Sequence, residues 1–77
     1  MKKFIKTTLE KYQEENFIVA FILCNIDLLM YNEERDFFML TSEELQLPEF
    51  EKRLGQLLVK TDKTDKGENI ISVTIQE

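Results

Sequence analysis

In KTDKTDKGEN, Asp62 is followed five positions later by Gly67, the spacing that opens a calcium-binding loop. Such a loop needs oxygen ligands at its third, fifth and twelfth positions, the last a bidentate Glu. Here those positions hold Thr64, Lys66 and Val73. Two lysines inside the loop also oppose a cation. The segment therefore reads as a polar connection, and no metal site is expected.

Nucleophilic and acid–base chemistry fare no better. The chain has no histidine, the side chain that titrates nearest neutral pH. The one cysteine, Cys24, has no base to activate it and falls in the most apolar run, FIVAFILC, where a thiol acts as a small hydrophobe and is expected to be buried. The carboxylate pairs Glu33–Glu34 and Glu43–Glu44 are adjacent in sequence, so on a strand or a helix they diverge. No phosphate-binding loop, dinucleotide fingerprint or nucleophile elbow is present. The expectation is a protein without catalytic residues or a cofactor, and not an enzyme.

Charge is more informative. Fifteen acids against ten bases give a net −5. The excess lies in NEERDFFMLTSEELQLPEFE, where Glu33, Glu34, Asp36, Glu43, Glu44, Glu49 and Glu51 are opposed only by Arg35. Such a field repels phosphates, which disfavours direct nucleic-acid binding. It suits another protein with a basic surface, because complementary charge steers encounter and sets register. That surface can itself be a nucleic-acid-binding groove, which would make the chain an inhibitor or regulator. Tyr31, Phe37, Phe38 and Phe50 lie close by as apolar anchors. The plainer reading makes the acids a solvated face and the aromatics core. Lys2, Lys3, Lys6 and Lys11 form a small basic patch, blunted by Glu10, Glu14 and Glu15.

These residues need elements to carry them. Phe4, Ile5, Thr8, Leu9 and Tyr12 share one helical stripe, which predicts an amphipathic helix over 2–15, with Lys6–Glu10 and Lys11–Glu15 able to pair on its wet side. FIVAFILC is rich in β-branched and aromatic residues and apolar on both alternating sets, which predicts a buried strand over 17–24. That strand continues, bent at Asn25, through 26–31 and returns through a charged turn at 32–35 into strand 36–41. One long helix over 8–30 is the competing reading. The stretch from Phe17 to Tyr31 is too short, and too broken by Asn25 and Asp27, to cross a membrane, which takes about 20 apolar residues.

A second helix is predicted from TSEELQLPEF onward, with Thr41 and Glu44 at capping-box spacing or Pro48 at its first position. Leu47, Phe50, Leu54, Leu57 and Leu58 line one face of it, and Gly55 sits inside, either as a point of close approach to another backbone or, in the favoured reading, as an exposed glycine. NIISVTIQ alternates, with Ile71, Val73 and Ile75 inward and Ser72, Thr74 and Gln76 outward, which predicts a half-exposed C-terminal strand. The expected fold is one α+β domain over 1–77 in the order α-β-β-α-β. Its three-stranded sheet, a long hairpin plus the C-terminal strand, packs with two helices.

A chain this small buries a marginal core and has no disulfide available. A homo-oligomer joined through the exposed edge of the C-terminal strand is the alternative function, a structural or assembly subunit. MKKFIKTTLEKYQEE lacks a secretory apolar run, and a single thiol suits a reducing compartment, so a cytoplasmic location is expected.

Overall fold

The computed structural model describes residues 1–14, 16–42 and 48–76. Helix α1 (Lys2–Glu10) and helix α2 (Phe17–Cys24) come first, then a 3-10 turn at Ile26–Leu28. Five strands follow: β1 (Met30–Asn32), β2 (Phe37–Ser42), β3 (Glu51–Leu54), β4 (Leu57–Lys63) and β5 (Asn69–Ile75). They form one antiparallel sheet in the order β1-β2-β5-β4-β3. The α+β character of the sequence reading holds. Its three-stranded sheet and α-β-β-α-β order do not.

The run FIVAFILC is a helix, not a strand. Asn16 caps it, its side-chain oxygen accepting the Ile18 N–H at 2.7 Å. Asn25 ends it, donating through its backbone to Phe21 and Ile22 carbonyls and through Nδ2 to the Phe21 carbonyl at 2.9 Å. The expected bend at Asn25 is thus a helix terminus. Eight residues make no stable helix alone, so tertiary burial overrides the β propensity of these side chains. Ile18, Val19 and Ile22 are fully buried, while Phe17, Ala20 and Cys24 face water. Cys24 is therefore exposed, against expectation, because helical period places it on the wet side. The long-helix alternative also fails, since α1 and α2 are separate helices.

α1 is shorter than predicted and ends at Glu10, with Tyr12 N–H still bonded to the Leu9 carbonyl at 2.9 Å. Of its stripe, Ile5 and Leu9 are buried, Thr8 and Tyr12 are half-buried, and Phe4 is exposed. Lys6 and Glu10 are both exposed, and Glu15 lies outside the described residues.

The predicted second helix is the β3–β4 hairpin. Leu54 and Leu57 pair across a two-residue turn of Gly55 and Gln56. Gly55 has φ +62, and positive φ at the first central position alone is the pattern of a type II′ turn. Gly55 also passes close to α1: a Cβ there would lie 3.4 Å from Thr8 Cγ2 and 3.6 Å from the Tyr12 hydroxyl. The Leu spacing fits a helix, and the turn at Gly55 and Gln56 instead brings Leu54 and Leu57 together as cross-strand partners. Thr61 anchors the start of β3, its hydroxyl accepting the Phe50 N–H at 2.9 Å and donating to the Pro48 carbonyl at 3.0 Å. The capping-box Glu44 and Leu47 lie outside the described residues.

β5 is central, paired with β2 on one side and β4 on the other. It has no free edge, which removes the C-terminal edge as a route to assembly. Residues paired across strands share a face. Tyr31, Phe38, Val73 and Val59 form one row on the face covered by the helices. Met30, Met39, Ser72, Lys60 and Glu51 cross the opposite face. Ser72 points outward as expected but is buried, its hydroxyl 3.4 Å from the Lys60 carbonyl.

Ile22→Ala should cost about 2–5 kcal/mol in urea unfolding, the usual range for truncating a buried aliphatic side chain. Ala20→Lys and Cys24→Ser, on the wet side of α2, should stay within about 0.5 kcal/mol. Equal losses at Ala20 and Ile22 would mean that the two share a buried strand face. Gly55→Ala should cost about 1–2 kcal/mol, from positive φ imposed on a Cβ.

Candidate functional site: the acidic β1–β2 corner

The loop from Glu33 to Asp36 joins β1 to β2. Asn32 builds it. Its side-chain oxygen accepts the backbone N–H groups of Glu34 at 3.0 Å and Arg35 at 3.1 Å, and its carbonyl accepts the Asp36 N–H at 2.9 Å. This is the Asx turn that Asn favours at the start of a loop. Asp36 closes the loop at φ 56, a left-handed conformation that Asp tolerates better than most residues. The charged turn of the sequence reading therefore stands, shifted by one residue. Asn32 is the structural residue that reading passed over, and its signal was an Asn directly before a four-residue polar connection.

Glu33, Glu34 and Asp36 are all exposed on this loop, with Arg35 among them. The other predicted site residues lie elsewhere. Glu51 is exposed on β3, across from Lys60 and at the far edge of the sheet. Four strand spacings of about 4.8 Å put that edge roughly 19 Å from β1. Glu49 lies instead beside Thr61, Asp62 and Lys63 of β4 and Asn69 of β5 on a shallow groove. Glu43 and Glu44 lie outside the described residues. A cluster that is continuous in sequence is thus divided between opposite edges of the sheet.

A cleft of about 380 Å³ opens beside the acidic loop, lined mainly by Met1, Tyr31, Phe37, Phe38 and Ile75, with Asp36 at its wall. The Tyr31 and Phe38 rings pack at 5.2 Å between centroids, tilted by 57°. The Tyr31 hydroxyl donates to Asp36 Oδ1. That bond raises the Tyr31 pKa above its ordinary 10.0, with smaller contributions from burial and from the negative charges of Asp36 and Glu33. Of the expected anchors, Tyr31, Phe37 and Phe38 gather here, whereas Phe50 packs against the core at the other edge.

The segment that invited a calcium reading closes the β4–β5 hairpin. Asp62 Oδ1 accepts the Lys63 N–H at 2.8 Å, and Thr64 and Glu68 bond through their backbones at 2.9 Å. Among the described residues no three metal-ligating side chains converge. No described helix is long and apolar enough to cross a membrane. The chain has no significant match to a protein-family model, a curated protein or a solved structure.

Asp36→Ala should lower the Tyr31 pKa toward 10.0, read from the ring carbon shifts that separate Tyr31 from Tyr12 in an alkaline titration. A folded-state pKa that is raised means the bond contributes fully below the unfolded phenol pKa. The contribution is lost as pH rises through the folded value. Wild type and variant should therefore differ more at neutral pH than in alkali, where only the backbone cost of Ala at the left-handed position 36 remains. An unchanged Tyr31 titration would show that the bond does not form.

Proposed function

We propose that this chain is a small, non-enzymatic protein-binding module that engages a basic surface of a partner protein. The reading rests on one juxtaposition: Asp36 lines an apolar cleft walled by Tyr31, Phe37 and Phe38, and the exposed Glu33 and Glu34 share its loop. Charge at the rim steers a cationic partner in, and the cleft accepts an apolar side chain that gives the contact its lifetime. A partner that handles nucleic acid offers such a surface, and occupying it would inhibit or regulate that protein. The acids at the β3 edge are too far away to join the same contact.

A tagged pull-down from native lysate, with and without nuclease and eluted in salt steps, tests this. The expected result is one nucleic-acid-handling protein, retained after nuclease and released by salt as the screening length shortens from about 10 Å at 0.1 M to 3 Å at 1 M. Glu33→Lys with Glu34→Lys should weaken its binding at least tenfold, while Glu49→Lys with Glu51→Lys leaves it close to wild type. Retention by the first variant would show the corner is not the site.

A further inference from the structure

The two edges of the sheet differ in kind. β3 exposes Glu51, Lys52 and Arg53, a charged edge of the sort that discourages pairing with another chain. β1 ends the sheet on the other side, and there the apolar side chains are in water: Leu28 is 64% exposed, Met30 70% and Tyr31 49%. We propose that the outer edge of β1, which pairs with no other strand among the described residues, pairs with the same edge of a second copy of this chain, antiparallel about a two-fold axis at Tyr31.

Charge selects this occupant. At the entry to β1 the Lys2 ammonium reaches the Asp27 carbonyl at 3.4 Å. At its exit stand Glu33 and Glu34. Antiparallel pairing about Tyr31 brings the acidic exit of each copy to the Lys2 entry of the other. A parallel arrangement would set acid against acid. The same axis places Tyr31 against its counterpart and Met30 across from Asn32. It joins the two Tyr31–Phe38 ring pairs into one row and the two sheets into one of ten strands.

A specific interface needs roughly 500 Å² from each copy. That is about a tenth of the 5494 Å² this chain exposes, and the apolar side chains around β1 supply much of it. The pairing runs along the strand edge, whereas the cleft opens at the end of the sheet. Tyr31, Glu33 and Glu34 enter both readings, but the pairing needs only a second copy and no basic partner, so the two can fail separately.

Sedimentation equilibrium from low micromolar to near-millimolar protein should approach twice the 9.2 kDa chain mass. Met30→Lys, and separately Leu28→Lys, should stay folded by circular dichroism and weaken association at least tenfold, because both side chains are already exposed. Lys2→Glu should weaken it several-fold, and adding Glu33→Lys and Glu34→Lys to that variant should recover most of the loss. On dilution of ¹⁵N-labelled protein, amide shifts should be confined to residues 27–36 and to Lys2. A 9.2 kDa mass at every concentration, a dimer indifferent to Met30→Lys, or shifts centred on β3 would each overturn the proposal. A monomer that still binds the basic partner would sink this inference alone. A dimer that binds none would sink only the binding reading.

Discussion

The fold depends on one contact, the burial of Ile71 and Val73 of β5 beneath α1 and α2. Those two side chains are fully excluded from water, and the strand that carries them is bonded on both sides. Leu40 lies beside Ile71 on β2, and Val59 beside Val73 on β4. Ile5 and Leu9 of α1 and Ile18, Val19 and Ile22 of α2 belong to the same cluster. Each fully buried aliphatic side chain contributes about 1.5–3 kcal/mol, and a small domain has no surplus of them. α2 is too short to persist without this contact, and β1 and β3 attach only to strands that β5 organises.

The same contact explains where the surface is polar and where it is not. With the helices covering one face of the sheet, the acidic loop between β1 and β2 projects from a corner rather than from a face. Asn32 and Asp36 hold it in shape through backbone bonds, and the Tyr31 hydroxyl ties it to the wall of the cleft. Asp36 thus sits beside apolar space, with Glu33 and Glu34 on the same hydrogen-bonded loop. That arrangement suits recognition of a cationic protein surface with an apolar projection. Glu51, from the far end of the same acidic run, lies on the opposite edge and faces Lys60 across the hairpin.

Much of the fold was legible in local pattern. The stripe of α1 and the charged turn after β1 follow from local spacing, and β2 lies one residue beyond the expected 36–41. β5 is a strand as expected but not half-exposed, since Ile70 and Ser72 on its outward face are buried along with Ile71 and Val73. The errors share a cause. FIVAFILC is apolar in every phase, so neither the helical nor the strand period stands out from it. Leu54, Leu57 and Leu58 fit the helical period, and Leu54 and Leu57 share a face of the sheet only because the chain turns at Gly55 and Gln56. Losing a helix there and gaining one at 17–24 changed the strand count and moved β5 from an edge to the centre.

By itself the sequence determined composition and local chemistry: an acidic chain without histidine, with a single thiol and with its carboxylates concentrated in one stretch. It also supplied more apolar side chains than the core takes up. Which of them leave water, and beside which neighbours, was decided only by the tertiary structure, because pairing between distant segments carries no local signature. That pairing exposed Cys24, divided the acids between two edges and assembled a cleft from Met1, Tyr31 and Ile75. It also left Met30 and Leu28 in solvent, where an apolar run read alone would have placed them in the core.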